Sequence, residues 1–381
     1  MESAAIDPQG QVLPRLVDVW AQAQPIQQLH WLWQLACLWG PLSEVGVAST
    51  LGDRAAVRVE GSWLRLLYLR ADGDHPMTLR EWGRQMWTVR LPVADVAGGG
   101  PELATIYREL SLGTIDAADR LRNRLEAVID AYGAAHLVEQ PRFELATLSD
   151  PGPTRSRNED ACWPPHETQV SLDPGEPAWV VVCDGLGGHQ GGNVASALAI
   201  EVIHDHLEPF VQNLRHDRPT PQQIAITLER AIRAANQAIE VRNNQESREE
   251  RQRMGTTVVL ALAIDHWLYL AWVGDSRAYC LTKSSGHQVT LDDDLATRDA
   301  RLGFGFYRDL LQMSAAGALT QALGMGSSDY LAPTVRRFLL TEDAVWLLCS
   351  DGVSDFDLVS AIAPDLAVSY THLRAHETVL D

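Results

Sequence analysis

The sequence predicts an α+β protein in which helices pack on β-sheets. Short apolar runs rich in β-branched and aromatic residues predict buried strands at residues 179–183, 269–273 and 345–349. Two stretches between these runs, 193–207 and 221–242, predict helices with one apolar face. Because such a face must be buried against another element, this order of strands and helices favours helices packed on sheets.

Each of these strand runs leads into a carboxylate: Asp184, Asp275 and Asp351, respectively. A single Asp-Gly pair at a strand end is usually a turn signal. A carboxylate at the end of a buried strand is nevertheless costly unless it is hydrogen-bonded, paired with a cation or bound to a metal. Three such residues, together with Glu159 and Asp160, favour a cluster of hard oxygen ligands of the kind that holds magnesium or manganese.

Composition disfavours several classes of function. The chain has 381 residues, 46% of them hydrophobic, enough for one large domain or two ordinary ones. Its formal charge of −19 disfavours nucleic acid and anionic membranes as partners. The most apolar early stretch, residues 31–42, is too short to span a bilayer, and the N-terminus lacks a signal-peptide pattern. We therefore predict a cytoplasmic protein.

The cysteines indicate the same compartment. The five are Cys37, Cys162, Cys183, Cys280 and Cys349, with no close-spaced pair, and several lie in apolar strand runs. This pattern predicts buried free thiols in a reducing cytosol rather than disulfides or a zinc site.

Residues 1–142 differ in texture from the remainder, and we predict that they form a smaller mixed α/β accessory domain. Local patterns predict helices around 13–20, 29–38, 78–87 and 103–132 and a hairpin at 56–69. Seven of the twelve tryptophans lie in this region: Trp20, Trp31, Trp33, Trp39, Trp63, Trp82 and Trp87. Core packing is their predicted role, with an exposed docking patch as the alternative. No motif in this region indicates chemistry.

In the C-terminal region, turn and cap signals define further elements. Residues 143–149 alternate like a strand. Thr220, followed by a proline, predicts the N-cap of a helix. Two apolar strands, 256–264 and 267–273, predict a hairpin with His266 as a turn residue rather than a ligand.

Several motifs follow one another between about residues 142 and 368. They are Arg155 with Asn158-Glu159-Asp160, Asp184-Gly185-Leu186-Gly187-Gly188-His189, Met254-Gly255-Thr256-Thr257, Val273-Gly274-Asp275-Ser276-Arg277, Leu319-Thr320-Gln321-Ala322-Leu323-Gly324 and Leu348-Cys349-Ser350-Asp351-Gly352. Together they resemble the metal-dependent protein phosphatases, the PPM or type 2C family of serine/threonine phosphatases. The Asp-Gly-Leu-Gly-Gly-His form is similar to the bacterial branch, and residues 292–326 are similar to cyanobacterial members.

The resemblance implies a four-layer αββα sandwich over residues 143–368, in which two antiparallel sheets are stacked and flanked by helices. It also implies a centre of two or three Mn²⁺ or Mg²⁺ ions in the cleft at one end of the sheets. Asp184 would bridge two ions, while the Gly185 backbone carbonyl and Asp351 would each contact one ion directly. Asp275 would bind a third, looser ion together with Asp351.

The resemblance assigns three further residues. Glu159 and Asp160 would hold the ions largely through water molecules. Arg155 would clamp the substrate phosphate through two parallel hydrogen bonds and would be catalytic together with Asp184. The alternative for Arg155 is an ion pair with Glu159, four residues further on.

The implied activity is metal-dependent removal of phosphate from phosphoserine and phosphothreonine in proteins, by a water that the metals activate. The implied partners are phosphorylated substrates of serine/threonine kinases in signal transduction, and not nucleic acid or membranes. Two alternatives stay open: a catalytically silent module that binds phosphorylated partners, and a small-molecule phosphomonoesterase. The sequence does not reveal the oligomeric state.

Two departures from the family pattern affect these expectations. Leu186 stands where eukaryotic relatives have a histidine that can donate a proton to the leaving oxygen, and we do not transfer that role to His189. After Asp351 there is no Gly-Gly-x-Asp-Asn segment carrying a further metal-binding aspartate, and neither Asp357 nor Asp365 has that context.

Residues 369–381 resemble a translated sequencing-adapter artefact, so we predict that this tail is foreign and that the phosphatase domain lacks its natural end. His372 and His376 have the spacing of a helical zinc pair, but no third ligand is in view. Weak binding of the ion at Asp351, poor catalysis and reduced solubility are the expected consequences.

Overall fold

The computed structural model describes residues 5–7, 10–86, 100–135, 141–152, 157–186, 191–214, 217–249, 252–283, 285–355 and 359. The chain divides into two compact units, Met1–Gln140 and Pro141–Asp381. No helix among the described residues is both long enough and apolar enough to cross a membrane.

The first unit is mainly helical. Its described elements are α1 (Leu16–Val19), α2 (Pro25–Glu44), β1 (Val57–Glu60), β2 (Trp63–Leu66), α3 (Leu79–Met86), α4 (Gly100–Leu112) and α5 (Ala118–Ala135). Helix α2 begins at a proline, and the Gln24 N–H before it donates to Gln27 Oε1 at 3.2 Å. It packs on α5, while the predicted hairpin forms from β1 and β2. Strand β2 ends at Leu66, earlier than the predicted residue 69.

The tryptophans of this unit mostly pack in its core, as predicted. Trp20, Trp31, Trp39 and Trp82 are buried. The rings of Trp39 and Trp82 lie 5.3 Å apart, and the Trp82 Nε1–H donates to the Leu51 carbonyl at 3.1 Å. Trp87 lies outside the described residues.

The second unit contains two larger antiparallel sheets. Its strands are β3 (Glu144–Ala146), β4 (Ala161–Trp163), β5 (Gln169–Ser171), β6 (Ala178–Cys183), β7 (Gly185–Leu186), β8 (Gly255–Thr256), β9 (Val258–Ile264), β10 (Trp267–Val273), β11 (Arg277–Leu281), β12 (Gly286–Gln288), β13 (Thr334–Leu339) and β14 (Val345–Cys349). Its helices are α6 (Gly192–Asn213), α7 (Pro221–Gln245), α8 (Leu295–Arg301), α9 (Tyr307–Leu310) and α10 (Asp351–Ser354). One sheet has the order β13-β10-β9-β6-β4 and the other the order β12-β11-β14.

The two sheets share one apolar core. Ala261 and Leu270 of the five-stranded sheet lie in the same cluster as Ala278 of β11, and Trp346 and Leu348 of β14 pack against it. Helices α6 and α7 contact strands of the five-stranded sheet and each other. Both faces of that sheet are therefore covered, and β9 is buried at every position through Ala263, which explains its continuous apolar run.

The α+β class predicted from the sequence is confirmed. On the three-stranded sheet, Val359 is helical and packs with Tyr279, Leu281 and Cys349. Residues 360–381, which include the predicted foreign tail 369–381, lie outside the described residues.

Several local predictions are confirmed, and others are wrong in their bounds. Thr220 caps α7, since its Oγ1 accepts from the Gln223 N–H at 3.3 Å. None of the five cysteines forms a disulfide, but only Cys183, Cys280 and Cys349 are buried as predicted. Helix α6 continues to Asn213 and not to residue 207, because a buried face that includes Val211 holds it past Pro209. The predicted strand 256–264 is divided into β8 and β9 at Thr257, whose backbone N–H bonds to Asp184 instead.

Candidate metal centre

Asp184 stands at the end of β6, and the backbone around it is held by two threonines. The Asp184 N–H donates to Thr257 Oγ1 at 3.1 Å, and the Thr257 N–H donates to the Asp184 carbonyl at 2.9 Å. That carbonyl also accepts from Thr256 Oγ1 at 2.7 Å. The backbone N–H and C=O groups of Asp184 are thus satisfied, and the residue is 7% exposed.

Four carboxylates influence one another at this point. Burial first, and then the negative charges of Asp160, Asp351 and Asp275 in that order, raise the pKa of Asp184 to about 8. A hydrogen bond with Asp351 also favours the protonated form of Asp184. Burial, followed by the charge of Asp351, raises the pKa of Asp275 to about 6. A divalent cation would relieve this repulsion and is the partner that such oxygen donors fit.

The start of helix α6 approaches Gly185 and Glu159 closely. A Cβ atom at Gly192 would lie 2.8 Å from the Gly185 carbonyl oxygen and 3.0 Å from Cδ of Glu159. A Cβ atom at Gly185 would in turn collide with the backbone of Gly192 and Glu159. Glycine is therefore needed at both positions, and a backbone oxygen and a carboxyl group border the same space.

The carboxylates are neighbours, but their side chains are not arranged around one common point. In the parts of the chain that the structure describes, no group of three or more His, Cys, Asp or Glu side chains is arranged to hold a metal. The repulsion that raises the pKa of Asp184 also opposes such convergence, because like charges approach one another only at an energetic cost.

Asp160 is tied to the end of β14. Its Oδ2 accepts from Ser350 Oγ at 2.7 Å, and Ser350 directly precedes Asp351. The Asp160 N–H donates to Asn158 Oδ1 at 3.0 Å, and Asn158 Nδ2 donates to Ser149 Oγ at 2.6 Å. The motif around Asp160 is therefore held to the strand that presents Asp351.

The turn that carries Asp275 has supports that sequence reasoning missed. Gly274 has a φ of +105°, and its N–H donates to Asp293 Oδ2 at 2.9 Å. Ser276 Oγ and Thr257 Oγ1 are 2.6 Å apart. The run of three aspartates at residues 292–294 was a visible signal, since buried carboxylates need partners.

Arg277 takes part in a partly buried ion pair with Asp292 rather than in the carboxylate cluster. Its Nη2 lies 2.7 Å from Oδ2 of Asp292, and its Nε donates to Oδ1 of the same carboxylate at 3.1 Å. Gln288 Nε2 also donates to Asp292, at 3.0 Å. This pair fixes the first residue of β11.

The structure brings together Asp160, Asp184, Asp275 and Asp351, with Gly185 and Glu159 beside the start of α6. Their roles toward a metal stay predictions. Other residues named from the sequence lie outside the described residues: Arg155, His189, Asp357, Asp365, His372 and His376.

Comparison with known proteins identifies a family to which the region around this site is similar. A family model described as "Protein phosphatase 2C" matches residues 155–380, more than half of the chain. The match includes all four clustered carboxylates and extends into the segment predicted to be foreign, whose origin stays a prediction.

Individual relatives are similar over the same region. A Mycoplasma pneumoniae protein, provisionally named a protein phosphatase, is 32% identical over 224 residues, covering 56% of this chain and 79% of the relative. The serine/threonine phosphatase stp of Listeria welshimeri is 32% identical over 176 residues, or 46% of this chain and 66% of the relative, just under two-thirds of its length. Among solved structures, the serine/threonine phosphatase PstP/Ppp of Mycobacterium tuberculosis is 27% identical with a TM-score of 0.42, covering 57% of this chain and 80% of that chain.

Proposed function

Because the chain belongs to the protein phosphatase 2C family, we propose that its carboxylate cluster is the metal centre at which phosphate is removed from phosphoserine and phosphothreonine in proteins. The observation that carries the proposal is the buried Asp184 carboxyl, whose pKa is raised by burial and by three neighbouring carboxylates. Such a group of like charges is stable only when a cation or protons neutralise it.

The proposed ligand set consists of hard oxygen donors. Asp184, the Gly185 carbonyl and Asp351 would hold two ions, with Asp184 as the ligand common to both, and Asp275 with Asp351 would hold a third. When bound, Mn²⁺ or Mg²⁺ supplies a water of lowered pKa and positive charge beside the phosphate oxygens.

The remaining work falls to the chain's own side chains. Glu159 and Asp160 orient water molecules through hydrogen bonds, and the contact of Asp160 with Ser350 keeps it in register with Asp351. Arg155 binds the phosphate, since a planar guanidinium matches two phosphate oxygens. The threonines at residues 256 and 257 hold Asp184 in place by bonding its backbone.

The proposed substrates are proteins phosphorylated by serine/threonine kinases, which gives the enzyme a role in signal transduction. Five cysteines, none of them in a disulfide, support a reducing, cytoplasmic location. We propose phosphoproteins rather than small phosphomonoesters as substrates because the chain belongs to a family of protein phosphatases.

The test is turnover by the full chain in the presence and absence of Mn²⁺. We expect Mn²⁺-dependent hydrolysis of p-nitrophenyl phosphate and of phosphoserine and phosphothreonine peptides, with Mg²⁺ tested in parallel. Turnover of small phosphate esters alone would favour the phosphomonoesterase alternative. Binding of phosphopeptides without turnover would favour the silent module.

The first unit carries none of the proposed ligands, and we propose that it is an accessory unit that regulates the phosphatase or docks a partner. Deleting residues 1–140 should alter regulation or substrate choice while leaving hydrolysis of p-nitrophenyl phosphate intact. A shortened protein with the activity and regulation of the full chain would contradict this role.

A further inference from the structure

Three consecutive aspartates, residues 292–294, follow strand β12, and each has a different partner. Asp292 pairs with Arg277 at 2.7 Å. Asp294 caps helix α8, since its Oδ1 accepts from the Thr297 N–H at 2.6 Å. Asp293, between them, faces the turn that carries Asp275.

Asp293 holds both polar backbone groups of Gly274. The Gly274 N–H donates to Asp293 Oδ2 at 2.9 Å, and the Asp293 N–H donates to the Gly274 carbonyl at 3.0 Å. This two-point contact fixes the orientation of the peptide unit that leads into Asp275. A bond to a carboxylate is stronger than one between neutral groups.

Thr257 closes the turn on its other side. A Cβ atom at Gly274 would lie 2.8 Å from Cγ2 of Thr257, so only glycine fits there. Thr257 Oγ1 is also 2.6 Å from Oγ of Ser276, which is 1% exposed. Asp275 thus stands between two residues that are held in place, Gly274 by Asp293 and Ser276 by Thr257.

Asp293 also connects this turn to Thr320 and Gln321, which follow the segment that contains α8 and α9. The segment that contains α8 and α9 leaves and returns at the bridge between Asp294 and Leu319. Beyond that bridge, the Thr320 N–H donates to the Asp293 carbonyl at 2.7 Å, and Gln321 Nε2 donates to Asp293 Oδ2 at 2.8 Å. Thr320 therefore holds the Asp293 backbone, and the carboxylate oxygen that accepts from Gly274 also accepts from Gln321.

We propose that Asp293 is a positioning residue, which holds the Gly274–Asp275 turn so that the Asp275 carboxylate faces the metal centre. The inference rests on the proposed function, because it concerns how one proposed ligand is held. Without Asp293, the Gly274 N–H loses its acceptor and a glycine in an unusual backbone conformation regains its freedom. Asp275 would then spend less time in its binding orientation, and the ion that it shares with Asp351 would bind less tightly.

The test is calorimetric titration of the metal-free full chain with Mn²⁺, and it compares four variants. Asp293→Ala should weaken the loosest site about tenfold, which corresponds to the loss of one hydrogen bond to a charged group, and leave the tighter sites unchanged. Asp293→Asn keeps an oxygen that can accept from Gly274 and should stay within about twofold of the wild type. Asp294→Ala, next in the chain, removes only the cap of α8 and is the matched control for metal affinity. Asp275→Ala is the reference for complete loss of the loosest site.

The outcomes separate this inference from the proposed function. If Asp275→Ala removes the loosest site while Asp293→Ala binds Mn²⁺ like the wild type, the positioning role is wrong. If Asp275→Ala itself leaves every site unchanged, the proposed ligand set is wrong and the positioning role falls with it. An equal loss in Asp293→Ala and Asp294→Ala would indicate general damage to this segment and would also overturn the proposal.

A further variant, Gln321→Leu, tests the positioning role if Asp293→Ala does not fold. Gln321→Leu removes a donor that orients the Asp293 carboxylate and leaves the aspartate present. We expect a smaller weakening of the loosest site, about threefold, with a higher Mn²⁺ concentration at half-maximal activity and an unchanged kcat at saturating metal. Unchanged Mn²⁺ affinity in a folded Gln321→Leu protein would overturn the positioning role.

Discussion

Two buried titratable side chains, His30 in the first unit and Asp184 in the second, differ in what surrounds them. His30 is 1% exposed, neither of its ring nitrogens has a hydrogen-bond partner, and its ring lies about 6 Å from those of Trp33 and Trp63. Burial alone lowers its pKa to about 3. Asp184 is also buried, but three carboxylates add to the effect of burial and raise its pKa to about 8.

Both shifts favour the neutral form, yet only one can be reversed by a ligand. No ion would relieve the burial of His30 among aromatic rings, so that side chain is a core residue. A divalent cation would relieve the repulsion at Asp184 and restore the charged form. A shifted pKa therefore indicates a site only where the cause is a set of charges that a partner could neutralise.

The largest expected effect is on catalytic activity, which should depend on Asp184 and not on His30. Asp184→Ala should lower kcat/KM for a phosphopeptide by about 10³-fold or more, because it removes the ligand proposed to bridge two ions. The matched change in the first unit, His30→Phe, should keep kcat/KM within about twofold of the wild type. Steady-state kinetics with Mn²⁺ and circular dichroism of each folded variant provide the measurement. Wild-type turnover by Asp184→Ala would show that the carboxylate cluster is not the catalytic metal centre.

The next effect concerns stability without metal. The pKa of Asp184 is raised by folding, so its contribution to stability is present at low pH and is lost as the pH rises toward about 8. The metal-free second unit should lose about 3 kcal/mol of unfolding free energy between pH 5 and pH 7.5 from this group. Thermal unfolding in EDTA measures the loss.

Manganese should restore most of this stability at pH 7.5 and little of it at pH 5, because metal binding requires the ionised carboxylate. Asp184→Asn provides the control, since it cannot titrate and should flatten the pH dependence. A metal-free protein whose second unit is equally stable at both pH values would contradict the electrostatic account of the cluster.

Acid should act on the first unit in the opposite direction. The pKa of His30 is lowered by folding, so its contribution is intact above pH 6.5 and is lost as the pH falls toward about 3. We expect a loss of about 2 kcal/mol between pH 6 and pH 4.5, measured by tryptophan fluorescence, since this unit holds seven of the twelve tryptophans. His30→Phe should remove most of the acid sensitivity. An acid transition of the same size in that variant would assign it to other groups.

The smallest effect tests whether stability and metal binding in the second unit are separable. Thr220→Ala removes the cap of α7 and should cost about 1 kcal/mol in unfolding free energy. Thr220→Ser, which keeps the capping oxygen, is the matched control. Mn²⁺ affinity should be unchanged in both variants, and a weaker affinity in Thr220→Ala would mean that α7 contributes to the metal centre.

Local patterns predicted much of the fold because their signals lie in consecutive residues. The run before Asp184 predicted β6, the Thr220-Pro221 pair predicted the start of α7, and two apolar runs around His266 predicted the β9–β10 hairpin. Predicted bounds were wrong where packing overrides local preference, as in α6, which passes Pro209 because its buried face continues.

Sequence patterns identified which residues could form the site, through the strand-end aspartates and the motifs that resemble the phosphatase family, and the excess of acidic residues disfavoured other partners. The contacts that hold these residues could be seen only in the folded chain, because they join distant parts of the sequence. Ser350 donates to Asp160 across 190 residues and Thr257 accepts from Asp184 across 73, while Asp293 reaches Gly274 across 19. A hydrogen bond between side chain and backbone leaves no periodic pattern in the sequence, so its partners are defined only when the fold brings them together.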